Sequence, residues 1–550
     1  MKISIAQLNY HIGNFDYNKS LICNAIREAK AAGADLIVFS ELCISGYPPL
    51  DLLDRYDFIE KCNKTVIDIA AECHGITALV GAPEINNDKR GKKLFNSVFA
   101  LSEGRIIFSA RKALLPTYDI FDEYRYFESG KDFNVFLFKG KKIAVTICED
   151  LWDDQLFENR FEKSRLYTVS PMEELAKQQP DIVVNMSASP FSYTKIETRT
   201  NIFKDKACKY GIPIVAVNQV GANTELIFDG SSVAIASNGI IYKKLPSFEE
   251  SILTFDLDEL TENKTMNTDN SANYIELIHN ALILGIKDYF KKSGFRKAVL
   301  GLSGGIDSAV SLYLAAKALG ADNVRSLLMP SRYSSESSVT DAIELSNRLG
   351  TQYDIIDIET SFRTFEEGLA PIFKGKEIDV AEENIQARIR AIYLMAVSNK
   401  FGCMLLNTSN KSEAAVGYGT LYGDMAGGLS VIGDVYKTDI YKLAAYINRE
   451  NEIIPQNIIQ KLPSAELRPN QLDSDSLPDY DMLDNILYQY IELQTPVEEI
   501  IKHAADEETV YRVIKLINSS EYKRYQAPPV LRISSKAFGA GRRMPLAAKY

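Results

Sequence analysis

Two α/β domains in tandem are what this sequence predicts: a layered mixed-sheet domain, then a doubly wound parallel sheet with a helical C-terminal extension. Three observations carry that reading. Short apolar runs alternate with amphipathic helix patterns through the first half, and strict strand-helix alternation follows residue 274. Between them lies TENKTMNTDNSAN, residues 261–273, which is polar and lacks periodicity. At 550 residues the chain is also long for one core. The expected division is therefore residues 1–260, a linker at 261–273, and residues 274–550.

In the first domain, strands fit Lys2–Gln7, Leu36–Ser40, Ala78–Gly81, Ser97–Leu101, Ile143–Ile147, Ile182–Asn185, Ile214–Val217 and Ser232–Ala236. Each is a short apolar or alternating run bounded by turn formers. Helical spacing of apolar residues appears at Asn18–Ala32, Phe58–Cys73, Met172–Gln178 and Thr198–Tyr210. The second domain opens with a helix at Tyr274–Lys292 and a strand entering Val299. A helix (Ser308–Leu319), a strand (Val324–Leu328), a helix (Ser337–Leu349) and a strand (Tyr353–Asp357) follow, then a helix (Ala381–Lys400) and a strand (Met404–Asn407). That alternation predicts a parallel sheet with ligands at the carboxyl ends of its strands. Leu483–Leu493, Val497–Ala505 and Thr509–Asn518 read as helices.

Composition narrows the function class. With 62 basic and 73 acidic residues, the net charge of −11 gives no footprint for nucleic acid or an anionic membrane. No run reaches a transmembrane length, and MKISIAQLNY reads as a strand rather than a signal peptide, so a cytoplasmic location is expected. Seven dispersed cysteines without a C-x-x-C pair argue against a disulfide framework and a zinc knuckle. Four scattered histidines leave little material for a multi-His metal centre or a Ser-His-Asp triad.

Two patterns carry chemistry. In VLGLSGGIDS, residues 299–308, an apolar run ends in a Gly-Gly turn that opens into a helix. Backbone N–H groups there can close around a phosphate, aided by the helix N-terminus. No lysine follows the glycines, so this is not a Walker loop, and Asp307 could hold a Mg²⁺ ion in its place. In the first domain Glu41, Lys112 and Cys148 each end an apolar strand run. Together they can perform covalent acyl chemistry, with a thiolate nucleophile, a carboxylate base and an ammonium that stabilises an oxyanion.

The segments SELCISGYPP, RKALLPTYDIFDEYRYF and ICEDLW around these three residues resemble the signature segments of the nitrilase superfamily. The resemblance implies an αββα sandwich that hydrolyses amides, with Glu41 as general base, Lys112 as charge stabiliser and Cys148 forming a thioester. It also puts Tyr118, Ser189 and Lys195 on a glutamine substrate. Glu123 matches a second carboxylate that could assist water attack, and Glu149 would contact the substrate or act only electrostatically. Two departures stand out: Leu50 where an acidic residue is common, and a long Gln155–Pro171 segment.

The second half resembles the pyrophosphate-releasing ATP-loop enzymes. ENIQARIRA, LNTSNKSEAAVGYGTLYGDMAGGLSVIGDVYKT and SSEYKRYQAPP are similar to the NAD synthetases, and the fusion is characteristic of the glutamine-dependent members of that family. What this implies is ATP-dependent amidation of deamido-NAD through an adenylate, the last step of NAD biosynthesis, with ammonia from glutamine. Gly301, Leu302, Ser303, Gly304, Gly305, Ile306, Asp307, Ser308 and Thr408 would hold ATP. Asn384, Glu413 and Lys523 would hold deamido-NAD, and Asp307 and Glu413 would hold Mg²⁺. Arg388, one turn from Asn384, is open between a ligand contact and a surface ion pair. MPSRYSSESS resembles a loop closing over the adenylate. A homo-oligomer is expected from the resemblance alone. A related ATP-loop amidotransferase acting on another acceptor is the alternative.

Overall fold

The computed structural model describes residues 1–158, 163–260, 273–503 and 506–548. The chain forms two compact units, Met1–Ser271 and Ala272–Tyr550. Of the expected linker, residues 261–272 lie outside the described residues. Asn273 caps the helix Tyr274–Ser293 by accepting the Ile275 N–H at 3.1 Å.

The first unit holds two six-stranded sheets. One runs in the order Ser251–Asp256, Lys2–Gln7, Leu36–Val38, Thr77–Ile85, Leu94–Ser102, Arg105–Arg111. The other runs Ile241–Lys244, Val233–Ile235, Ile214–Asn218, Ile182–Ser187, Lys141–Ile147, Val135–Phe138. Strand alternation assigns the layers. Ile3, Ile5, Leu36, Val38 and Leu79 pack with Ile143, Val145, Ile147, Ile182 and Val184 in a core between the sheets. Their neighbours point the other way: Ala6, Ile37 and Ala78 meet Ile22, Ile26 and Ile69 of the helices Phe15–Ala31 and Tyr56–Ala70. On the opposite side, Ala144, Val183 and Ile214 meet Leu175, Ile202 and Phe203 of the helices Pro171–Ala176 and Lys195–Tyr210. This is the αββα sandwich.

The second unit is built on a five-stranded parallel sheet in the order Gln352–Ile355, Val324–Leu328, Ala298–Gly301, Met404–Asn407, Leu429–Ser430. The chain steps outward from Ala298–Gly301 on one side, then returns to its other side at Met404–Asn407. That reversal is a topological switch point, and the loops after Gly301 and Asn407 flank the crevice it opens. Val299, Leu327 and Leu405 are covered by Phe362 and Ile389 of the helices Glu359–Phe373 and Val380–Phe401. The C-terminal helices Tyr480–Leu487, Val497–His503 and Glu507–Ser519 form their own apolar cluster around Leu483, Ile500 and Val513. The pattern expected at Leu483–Leu493 ends as a π-helical turn at Tyr488–Glu492, and Leu36–Ser40 is a strand only through Val38.

Candidate active site

Three strand ends of the first unit converge. Glu41 follows Leu36–Val38, Lys112 follows Arg105–Arg111 in the same sheet, and Cys148 follows Lys141–Ile147 in the other. Cys148 has φ of 43°, in the left-handed region, and begins a 3₁₀ turn, Cys148–Leu151. An L-residue held there is strained, as nucleophile turns often are.

The Lys112 ammonium is wholly buried and donates to Glu41 at 2.7 Å and to Glu123 at 2.9 Å. Glu41 also accepts from Asn96 Nδ2 at 2.7 Å and from the Ala188 N–H at 3.0 Å. Tyr47 donates to Glu123 at 3.0 Å. Burial alone would pull Lys112 down, but the charges of Glu123 and Glu41 outweigh it and hold its pKa well above the usual range. Burial pushes the Cys148 thiol up, reinforced by Glu41 and opposed by Lys112. Glu123 is pushed up to about 7 by burial and the Glu41 charge, against the pull of Lys112. One ammonium between two carboxylates leaves one surplus negative charge, and Glu123 is where a proton relieves it.

Glu149, next to the nucleophile, accepts from Tyr118 at 2.9 Å and from Tyr167 at 2.8 Å, and its pKa is raised by burial. The charge of Lys195 also acts on it. Ser189 sits in the loop after Ile182–Ser187, its N–H donating to Asn218 Oδ1 at 2.8 Å. Through Tyr167 the long Gln155–Pro171 segment reaches Glu149, beside the triad. Leu50 is exposed and has φ of 48°. Asn96, Tyr47, Asp150 and Tyr167 were not singled out from sequence; Tyr47, within SELCISGYPP, and Asp150, within ICEDLW, lay in segments that carried a local signal.

In the second unit a cavity of about 290 Å³ lies at the switch point. Gly301, Leu302, Ser303, Gly305, Ile306, Asp307, Ser308, Thr408 and Glu413 all line it. Gly304 does not; it has φ of 82° and packs against the Ser338 carbonyl, which a Cβ would approach to 2.3 Å. Inside the turn the Ser303 and Ser308 hydroxyls meet at 3.2 Å, and the Gly305 N–H donates to Ser303 Oγ at 3.2 Å. Asp307 accepts from Asn410 Nδ2 at 2.9 Å and pairs with the Lys437 ammonium, which lies 3.7 Å from Glu413. Burial and the Asp307 charge push Glu413 up to about 8, against Lys437. Among the described residues no group of three or more His, Cys, Asp or Glu side chains forms a metal site of its own.

Asn384 and Lys523 are not in the cavity wall. Asn384 accepts from Thr420 Oγ1 at 2.6 Å, beside the wall residue Gly423. Lys523 donates to the Gly417 and Gly419 carbonyls at 2.7 and 2.8 Å. Arg388 is exposed and donates to the Leu421 carbonyl at 3.2 Å. Its neighbour on the helix, Arg390, lines the cavity instead and donates to the Met329 carbonyl at 3.0 Å. Arg390, Lys437 and Asn410 lie within the segments that carry the resemblance but were not singled out from sequence. The N-x-x-E spacing of Asn410 and Glu413 is a capping-box signal that could have found one of them.

The carbon-nitrogen hydrolase family model matches residues 2–264, and the NAD synthase family model matches residues 278–527. The chain is 44% identical to the glutamine-dependent NAD(+) synthetase of Synechocystis sp., covering 100% of this chain and 99% of that protein. It resembles the structure of a glutamine-dependent NAD+ synthetase from Acinetobacter baumannii in complex with ADP, with TM-score 0.78, 37% identity, and coverage of 99% and 98% of the two chains. A Cytophaga hutchinsonii glutamine-dependent NAD(+) synthetase shares the fold, with TM-score 0.83 at 21% identity and coverage of 100% and 98%.

Proposed function

Because this chain belongs to the glutamine-dependent NAD(+) synthetases, we propose that Glu41, Lys112 and Cys148 release ammonia from L-glutamine and that the cavity around Ser303–Ser308 consumes it. The reaction is ATP-dependent amidation of deamido-NAD to NAD through an adenylate, yielding AMP, pyrophosphate and glutamate.

At the first site burial favours the protonated form of the resting thiol. Sγ attacks the carboxamide carbon of glutamine as Glu41 takes the thiol proton, and the oxyanion forms beside the Lys112 ammonium. Return of that proton to nitrogen breaks the C–N bond, leaving a thioester and free ammonia. Water then attacks the thioester, with Glu41 or Glu123 accepting its proton; the C–S bond breaks, that proton passes to Sγ, and glutamate leaves. Tyr118, Ser189 and Lys195 hold the amino-acid end of glutamine, and Glu149 pairs with its ammonium.

At the second site the Ser303–Ser308 turn and the start of the helix Ile306–Leu319 hold the ATP phosphates. An oxygen of the nicotinate carboxylate attacks the α-phosphorus and pyrophosphate departs. Ammonia then attacks the adenylated carbonyl carbon and AMP departs. ATP binding belongs to the family, and we infer Mg²⁺ beside it. Its support is the two carboxylates Asp307 and Glu413, which line the cavity together on either side of the Lys437 ammonium. Mg²⁺ there would offset phosphate charge. Asn384, Thr408 and Lys523 are proposed around the nucleotides. The family resemblance also supports a cytoplasmic homo-oligomer.

The buried Lys112–Glu41 pair at 2.7 Å beside Cys148 carries the reading, since two desolvated charges at a nucleophile serve chemistry. Cys148→Ala tests it. The variant is expected to lose glutamine-dependent NAD formation and keep formation from ammonium salts; loss of both in a folded protein would refute the two-site assignment.

A further inference from the structure

The first site draws its residues from both sheets of the sandwich. Glu41 and Lys112 follow strands of one sheet, and Cys148 follows a strand of the other. Between the sheets lie apolar side chains such as Ile5, Val38, Val145 and Val184, whose contacts are non-directional and tolerate sliding. A directional tie is needed to fix the distance from nucleophile to ammonium.

Asp150 is such a tie. Its carboxylate is 3% exposed. Oδ1 accepts the backbone N–H groups of Ala113 at 3.0 Å and Leu114 at 2.9 Å, the two residues after Lys112. Oδ2 accepts the N–H of Ile147, the residue before Cys148, at 3.0 Å. One rigid group of three atoms thus spans the two sheets at the catalytic end, with one oxygen on each side. The same bond to Ile147 closes the turn in which Cys148 holds its left-handed backbone.

We propose that Asp150 is the positioning residue that sets the spacing between Cys148 and Lys112 in the glutaminase reaction. The proposal rests on the two-site reading above. Misplacement of reacting groups by about 1 Å costs on the order of a hundredfold in rate, which is the effect this side chain prevents. A carboxylate suits the task because both of its oxygens accept hydrogen bonds, and no neutral side chain of that size has two acceptor atoms.

Asp150→Asn separates this role from mere packing. The amide oxygen keeps the two contacts of Oδ1, while the NH₂ faces the Ile147 N–H, donor against donor, so only the nucleophile side of the tie is cut. Expected is a fall in kcat for glutamine hydrolysis on the order of a hundredfold with KM for glutamine within about threefold. NAD synthesis from ammonium salts should stay at the wild-type rate, reporting that the second unit is intact. A second readout is alkylation of Cys148 by iodoacetamide across pH, followed on its own peptide in a Cys208→Ser background, because Cys208 is exposed. Beyond burial, Glu41 raises the thiol's pKa and Lys112 lowers it, and both follow strands of the opposite sheet, so loosening that spacing should move the alkylation midpoint away from its wild-type pH. Asp150→Ala, which loses all three contacts, should show a larger effect in both assays.

Hydrolysis within twofold of wild type would overturn the proposal. So would lost hydrolysis with an unchanged alkylation midpoint, or a KM rise that accounts for the whole loss. Unfolding of the first unit in Asp150→Asn, with ammonium-dependent synthesis preserved, would make Asp150 a fold-holding residue and also overturn it. If Cys148→Ala fails to keep ammonium-dependent synthesis, the two-site reading fails first, whatever Asp150 does.

Discussion

Asn410 donates its amide NH₂ to Asp307 at 2.9 Å while its amide oxygen accepts the Glu413 N–H at the same distance. One side chain therefore caps the short helix Lys411–Val416 and holds the phosphate turn against it. Asn410→Ala removes both bonds. A lost N-cap costs about 1 kcal/mol. Synthesis from glutamine and from ammonium should fall together, while glutamine hydrolysis persists; parallel assays of the three rates check this.

Gly304→Ala should close the phosphate turn to ATP. The position has φ of 82° and leaves 2.3 Å between a Cβ and the Ser338 carbonyl, so both backbone and space oppose a methyl group. The second unit should lose more than about 1 kcal/mol of stability. Titration calorimetry with ATP should show no binding under conditions where the wild-type protein saturates.

Lys112→Met should abolish glutamine hydrolysis and destabilise the first unit. Removing one partner strands Glu41 and Glu123 in a site where Lys112 itself has no exposed side-chain surface. Breaking a buried pair in this way costs about 3–5 kcal/mol. Differential scanning calorimetry should show one of two transitions shifted down, with ammonium-dependent synthesis intact at temperatures below it.

The stability of the first unit should fall as pH rises from near 4.5 to about 7, because Glu123 is pushed from an ordinary value of 4.5 up to about 7. A raised carboxyl is protonated more readily in the folded chain, so its contribution is complete below 4.5 and is lost as pH passes about 7. Glu123→Gln should flatten part of that decline. Denaturant midpoints of the first unit at pH 5 and 7.5, compared between the two proteins, measure it.

The parts of these sites that lie along the chain were legible in it. Glu41, Lys112, Cys148 and Asp307 each end or follow an apolar run, and a run of that kind marks both a buried strand and the rim where it surfaces. Asn96 and Lys437 act across the fold, from within a strand and from a helix start; periodicity passes over both, although Lys437 lies in the segment ending in VYKT. The helix Glu359–Phe373 was missed for a different reason. It buries only Phe362 fully and contains Pro371, so its apolar face is narrow. The strand Ser251–Asp256 was missed because it is only partly buried, with Phe255 alone fully enclosed.

That last strand has a temporal consequence. Ser251–Asp256 pairs antiparallel with Lys2–Gln7, Lys2 opposite Asp256 and Gln7 opposite Ser251. During synthesis Lys2–Gln7 thus waits for nearly the whole first unit before that edge is closed. A chain truncated short of residue 251 leaves the opening strand with an unpaired edge, so premature termination yields no finished ammonia-releasing sandwich. By the time that sandwich is complete, synthesis is already entering the unit that uses the ammonia.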